Sequence, residues 1–348
     1  MVRRILLVLS IPLLLAVGLF VYLWMSFVVP DGPVELVSFT ADDGVVLVGD
    51  LYLPEGDAPH AAMIVMHGSG PEVMSDVAYR MHAVAFAREG IAVLMWDKRG
   101  AGRSEGDFDA ATFQNFMNDG YAALEYLRTR SDIDPNRIGL LGFSEGAWFT
   151  PEMAVRDGNI AFIVNRVMPA TDWAETNIYE NQIELRQAGA DEATIARAVD
   201  LRRRIWEYYR DAVAANDPLA TRRAALEAEV DAIRSEDWYG EWRMGVGEYD
   251  PEVYRTWLAD IFYDPAPWIA QVDVPLFAVF AMSDQNIPSA RSIEILNDLT
   301  QAHNLDARIE TYAGRRHSML RAQDIMTAGF PPDYLPSISQ WAAEQVAE

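Results

Sequence analysis

The sequence predicts an α/β fold: a mostly parallel eight-stranded sheet with helices on both faces, a helical insertion late in the sheet, and a transmembrane helix ahead of it. Three observations carry this. From residue 35 onward, short apolar runs alternate with stretches of helical periodicity, the pattern of parallel strands covered on both sides. The alternation breaks once, between Asp172 and Tyr263, where no strand fits. At the start, Ile5–Val29 runs for 25 residues without a charge, and about 20 such residues span a bilayer core.

Taken in order, Arg3 and Arg4 precede the uncharged run and Asp31 and Glu35 follow it. The positive-inside rule then keeps the N-terminus cytoplasmic and places the rest outside, in the periplasm if the cell is Gram-negative. A cleaved signal using the small residues Ala16 and Gly18 is the rival reading, although eleven more uncharged residues follow Gly18. Glu35–Thr40 and Val45–Leu53 read as strands joined by the turn signal Asp42-Asp43-Gly44. Ala61–Met66 and Ile91–Trp96 are buried strands. Asp76–Glu89 between them is a helix stopped by Gly90. Thr112–Arg130 is a helix whose inner face carries Phe113, Phe116, Leu124 and Leu127. Arg137–Phe143 is a strand, followed at once by a helix from Glu145, and Ile160–Val167 is the next strand. The insertion reads as helices over Asn181–Ala215, Leu219–Ser235 and Pro251–Phe262, the last with Asp250 as N-cap and Pro251 at its first position. Strands Leu276–Ala281 and Ala307–Tyr312 complete the sheet, and a closing helix starts near Pro332. The domains expected are an anchor over 1–32, a sheet domain over 33–170 and 264–348, and a helical cap over 171–263.

Composition narrows the chemistry. The chain has no Cys, which excludes disulfides, zinc–thiolate sites, iron–sulfur clusters and thiol catalysis. Its 52 acidic and 28 basic side chains leave a formal charge of −24, unsuited to a nucleic-acid partner. Lys98 is the only lysine. No HExxH, P-loop or Rossmann glycine pattern occurs.

Ligands of parallel sheets bind at the carboxyl ends of the strands, so the loops there are the ones to search. Gly142-Phe143-Ser144-Glu145-Gly146 lies between a strand and a helix, the G-x-S-x-G nucleophile elbow. The tight turn leaves no room for Cβ atoms at the glycines, and it lifts the Ser144 hydroxyl above the sheet. The amide of Glu145, at a helix N-terminus, is a candidate oxyanion donor. The second donor is expected in His67-Gly68-Ser69-Gly70, with Ser69 favoured and Gly70 its neighbour alternative; His67 itself reads as structural. An acid and then a base complete the motif in chain order. Asp284 sits just past the Leu276–Ala281 strand, with Asp172 in reserve. Only His303 and His317 follow it; His303 falls near a helix end, which leaves His317. The expected set is Ser144, Asp284 and His317: His317 takes the serine proton and returns it to the leaving group, while Asp284 holds the imidazole tautomer.

These residues resemble the α/β-hydrolase superfamily over Glu35 to the C-terminus. Asp97-Lys98-Arg99-Gly100-Ala101-Gly102-Arg103-Ser104 matches that family's D-x-R-G-x-G-x-S loop. Asp264-Pro265-Ala266-Pro267-Trp268 is similar to a subgroup of bacterial serine hydrolases, prolyl-oligopeptidase-like or S33-aminopeptidase-like, with a helical cap after the sixth strand. The resemblance implies an α/β-hydrolase fold and a Ser-His-Asp hydrolase without metal or organic cofactor. Two residues depart from its pattern: Ser318 stands where Gly often follows the histidine, and Glu145 puts an acid beside the nucleophile, read here as a variable position. Leu201-Arg202-Arg203-Arg204 reads as a solvated helix face. Six of the ten Trp lie in the cap and its exit, either packing helices or lining an acyl pocket.

The function expected is a membrane-anchored serine hydrolase that cleaves carboxylic esters through a Ser144 acyl-enzyme. A peptidase or amidase on the same triad is the alternative, and an inactive binding or scaffold domain the third reading. The partners expected are a small ester or short peptide and, through Ile5–Val29, the lipid bilayer; the oligomeric state is not legible.

Overall fold

The computed structural model describes residues 27–242, 246, 255, 258–327 and 329–347, with single positions at 18 and 25. Most of Ile5–Val29, and both Asp250 and Pro251, lie outside these residues. Among the described residues no helix is long and apolar enough to cross a membrane.

The sheet has eight strands: β1 (Val34–Thr40), β2 (Val46–Tyr52), β3 (His60–Met66), β4 (Ile91–Trp96), β5 (Ile133–Phe143), β6 (Ile163–Arg166), β7 (Leu276–Ala281) and β8 (Ala307–Tyr312). Their spatial order is β1-β2-β4-β3-β5-β6-β7-β8. The β1/β2 and β2/β4 pairs are antiparallel; from β4 to β8 every pairing among the described residues is parallel. β4 and β7 are buried along their whole length, as their uninterrupted apolar sequences require. Five consecutive parallel pairings turn the carboxyl ends of β3 to β8 to one side, and the site lies on that side.

Among the described residues the two faces are covered by α1 (Val77–Arg88), α2 (Phe113–Arg128) and α3 (Gly146–Asp157), then, after the insertion, by a short helix over Ala266–Ile269 and the helices over Ser289–His303 and Tyr334–Gln345. Two separate apolar cores result. One packs Leu124, Phe149 and Leu296 against the sheet; the other packs Val84, Phe86, Ile338 and Ala342 against the opposite face. Local chemistry sets the helix ends. The Asp76 carboxylate accepts from Ala78 N, and Thr112 and Asn115 form a reciprocal capping box at the start of α2.

The insertion contributes α4 (Trp173–Gln187), α5 (Glu192–Ala215) and α6 (Ala220–Ile233), so the longer helices after it are α7 (Ser289–His303) and α8 (Tyr334–Gln345). The sequence pattern ran one helix across Asn181–Ala215, and the structure corrects this. The chain breaks at Gly189, whose φ is +87°, and restarts where Asp191 caps α5 through Thr194 N. Apolar periodicity continues across that break, so only the Gly and the Asp mark it. Strand β6 is shorter than the predicted strand Ile160–Val167, because it pairs through Ile163–Arg166 before Val167 turns to φ +48°. The insertion has its own core, in which Ile178, Ile205, Trp206, Tyr208, Tyr209 and Trp238 are buried together. Trp206 makes an edge contact with Trp173, with ring centroids 5.9 Å apart. Arg202 is not on a solvated face: it is 7% exposed and donates to Asn177 Oδ1 at 2.8 Å. Its neighbour Arg204 does pair at the surface, with Asp200 and Glu229.

Candidate active site

Ser144 occupies the turn between β5 and α3 with φ +50°, the left-handed region that non-glycine residues enter at a cost. Three features hold it there. Its amide donates to the Arg166 carbonyl of β6 at 3.0 Å. A Cβ on Gly146 would collide with the Met66 carbonyl oxygen of β3, and one on Gly142 with Asn165 Oδ1 and Ala147. The close approach of β3, β5 and α3 therefore depends on both glycines of the motif.

Asp284 and His317 come together from the loops after β7 and β8. His317 Nδ1 lies 2.9 Å from Asp284 Oδ2. The Asp284 side chain is fully buried, while that of His317 keeps 31% of its surface. The other Asp284 oxygen accepts from the amides of Asn286 (2.8 Å) and Ile287 (3.0 Å), so the carboxylate cannot rotate away from the imidazole. The two loops are stitched to each other: Met282 N donates to Tyr312 O, and Ser283 N to Arg315 O. Buried Arg315 closes the histidine loop by donating to the carbonyls of Met319 and Gly329 and by pairing with Asp324. Arg166 Nη2 donates to the His317 carbonyl at 2.7 Å. Ser144 and His317 line one cavity of about 280 Å³, together with Ser69, Glu72, Tyr79 and Arg166.

The loop after β3 carries Ser69 on the rim of this cavity. Its neighbour Gly68 already spends its amide on the Tyr79 hydroxyl at 2.9 Å. Gly70 has φ +95° and turns the chain. Below them His67 is 4% exposed, between the rings of Tyr79 and Trp96. Burial and the nearby Lys98 charge push its pKa down to about 3, so the ring stays neutral.

The remaining candidates lie elsewhere. Asp172 caps α4, accepting from Glu175 N at 2.7 Å. His303 ends α7 at the exposed surface.

Sequence reasoning missed several side chains at this site, among them the cavity residues Glu72, Tyr79 and Arg166. The acid beside the nucleophile is buried and paired: Glu145 is 9% exposed, and its Oε1 accepts from Lys98 Nζ at 2.6 Å. Lys98 follows β4 and also donates to the Gly68 carbonyl at 3.0 Å. The lone lysine of an otherwise arginine-only chain was the available signal. The rest of its loop is architectural, with Asp97 accepting from Met74 N and Arg103 N, and Arg99 paired with Asp119. Tyr179 is a further omission: from the insertion, its hydroxyl donates to the Asp284 carbonyl at 2.8 Å.

Residues 43–315 match the family model described as X-Pro dipeptidyl-peptidase (S15 family). Among curated proteins, esterase EstD of Thermotoga maritima is 31% identical over 130 residues, covering 35% of this chain and 31% of that one. The quorum-quenching protein AidA of Acinetobacter baumannii is 31% identical over 160 residues, or 44% and 50% of the two chains. The chain thus spans half or less of the length of these relatives. Solved structures share the fold over most of the chain. An esterase of Pyrococcus furiosus covers 91% of this chain and 92% of its own, with a TM-score of 0.54 and 15% identity. Est1E of Butyrivibrio proteoclasticus, solved with ferulic acid bound, covers 90% and 100%, with a TM-score of 0.55 and 14% identity.

Proposed function

The chain belongs to the X-Pro dipeptidyl-peptidase (S15) family, and from that premise we propose that it is a serine hydrolase whose nucleophile is Ser144, with His317 as general base and Asp284 as its orienting acid. The observation that carries this reading is the buried Asp284 carboxylate 2.9 Å from His317 Nδ1, with His317 and the strained Ser144 facing one cavity. Asp284 Oδ2 accepts the Nδ1 proton, which leaves Nε2 as the basic nitrogen. Nε2 takes the Ser144 proton as Oγ attacks the carbonyl carbon. The negative oxygen is met by the amides of Ser69 and Glu145, and removing one such donor typically costs about 10²–10³ in rate. His317 then hands the proton to the departing alcohol or amine, and water repeats the sequence to release the acid.

The substrate proposed is a small carboxylic ester, in keeping with the esterases among the relatives and the cavity's modest volume. The family match favours a second reading, a short peptide cleaved at an amide. We also place the enzyme at a membrane: the uncharged run Ile5–Val29 behind Arg3 and Arg4 supports a cytoplasmic N-terminus and a catalytic domain held outside.

The experiment is turnover of a p-nitrophenyl ester series beside Xaa-Pro p-nitroanilides, with wild type and Ser144→Ala. Ester turnover that disappears in the variant is expected. Turnover of the anilides alone moves the substrate to peptides. Equal turnover by both proteins overturns the assignment of Ser144.

A further inference from the structure

Resting on that reading of the site, we propose that Lys98 is a positioning residue for the oxyanion hole, tying its two amide donors together through one buried ammonium group. Lys98 is 3% exposed. Its Nζ donates to the Gly68 carbonyl at 3.0 Å and to Glu145 Oε1 at 2.6 Å, and it sits 3.9 Å above the centroid of the Phe116 ring. The ammonium thus faces two oxygens and an aromatic face, all of them favourable to a cation.

What matters is where those two oxygens sit. The Gly68 carbonyl and the Ser69 amide are opposite ends of one planar peptide unit, so fixing the oxygen fixes the direction of the N–H. A charged donor on the oxygen also draws electron density from the amide, and hydrogen bonds in such a chain strengthen one another. The other arm grips the side chain of Glu145, the residue whose own amide is the second donor. From the far side, the Tyr79 hydroxyl accepts from Gly68 N at 2.9 Å, so the loop is held at both faces of Gly68. The main chain adds a further tie, with Lys98 N donating to Glu72 O at 3.0 Å.

A role confined to stability explains less. Replacing a buried ion pair with apolar groups of similar size is often neutral or stabilising. The same loop already has an architectural cation in Arg99, paired with Asp119 and Asp43. Arg99 reaches neither oxyanion loop among the contacts it makes, whereas Lys98 touches both.

Lys98→Met alone strands the Glu145 carboxylate in a buried position, so the test uses Lys98→Met/Glu145→Gln, which removes both charges, with Lys98→Met beside it. Both are made in the full chain. Active sites are counted by running fluorophosphonate labelling to completion, and kcat per labelled serine, KM and inhibition by an alkylboronic acid are measured with a p-nitrophenyl ester. The boronate forms a tetrahedral adduct and so reports on the same amides as the transition state. The expected result for the double variant is a 10- to 100-fold fall in kcat per labelled site, in line with a weakened oxyanion donor at about 10²–10³. KM is expected to stay within about threefold, and boronate affinity to fall in parallel with kcat. A folded double variant with wild-type kcat per site and wild-type boronate affinity overturns the proposal, as does a loss that appears only as fewer labelled sites. If the wild type itself neither labels nor turns over ester, it is the reading of Ser144 that fails, and the two failures are thereby distinguished.

Discussion

The sheet domain and the helical insertion hold functional side chains by different means. In the sheet domain, position comes from the backbone. Ser144 is fixed by strand pairing and by two glycines that admit no Cβ, and Asp284 by two amides of its own loop. The insertion has an apolar core of its own, packs Trp173 and Tyr263 against the core of the sheet domain, and adds single polar contacts to that domain. Tyr179 donates to the Asp284 carbonyl, Glu180 accepts from Asn286, and Asp260 accepts from Phe113 N at the start of α2. The difference teaches that the proposed reacting groups are held by the backbone of the sheet domain, while the insertion adds, beside the packing of Trp173 and Tyr263, polar contacts that can be edited or titrated one at a time.

The largest effects should therefore come from the sheet domain. Asp284→Asn is expected to keep the fold and lower kcat by about 10⁴, the loss that follows when the imidazole tautomer is wrong. A change below tenfold in steady-state kinetics would remove Asp284 as the orienting acid. Gly146→Ala is expected to destabilise by about 3 kcal/mol or more, the upper end for overpacking, because its Cβ meets a backbone carbonyl that cannot turn aside. Denaturant melts that match wild type would contradict the close packing of β3 on α3.

Tyr179→Phe, in the insertion, should be much milder. It removes one hydrogen bond, worth about 0.5–1.5 kcal/mol, and should lower kcat/KM by no more than about tenfold with unchanged melting of the sheet domain. A loss approaching that of Asp284→Asn would make the insertion part of the rigid machinery and dissolve the contrast.

The smallest effect is in stability against pH, where the two regions should respond in opposite directions. Burial raises the Asp260 carboxyl to about 6. Between the ordinary aspartate value near 3.8 and about 6, the unfolded chain has released this proton and the native one keeps it. Stability from this group is thus full below 3.8 and declines as pH rises through 6. His82, buried between α1 and α8, is pushed down to about 3. It acts the other way: its contribution is full above the ordinary histidine value near 6.5 and is lost as pH falls towards 3. Melting curves of Asp260→Asn should gain on wild type between pH 4 and pH 7, and a gain that does not change with pH would sink the assignment.

Much of this architecture is legible in the residues. The apolar runs Ile91–Trp96 and Leu276–Ala281 coincide with β4 and β7 because a strand buried on both faces tolerates nothing else. The residues singled out by motif and chain order, Ser144, Asp284 and His317, are those the structure gathers at the carboxyl ends of the strands. What stayed hidden depends on contacts between distant loops. Lys98 meets Gly68 and Glu145 across 30 and 47 residues of chain, and nothing in its local sequence distinguishes a lysine aimed inward from one in water. The break at Gly189 was hidden for a different reason, since helical periodicity continues on either side of a turn this short.

The most direct measurement is the mass-spectrometric location of a fluorophosphonate adduct on the full-length protein. The account predicts one adduct, on the peptide containing Ser144, absent from Ser144→Ala and slowed in Asp284→Asn. An adduct on Ser69, Ser283 or Ser318 instead, or none on the folded protein, would contradict it.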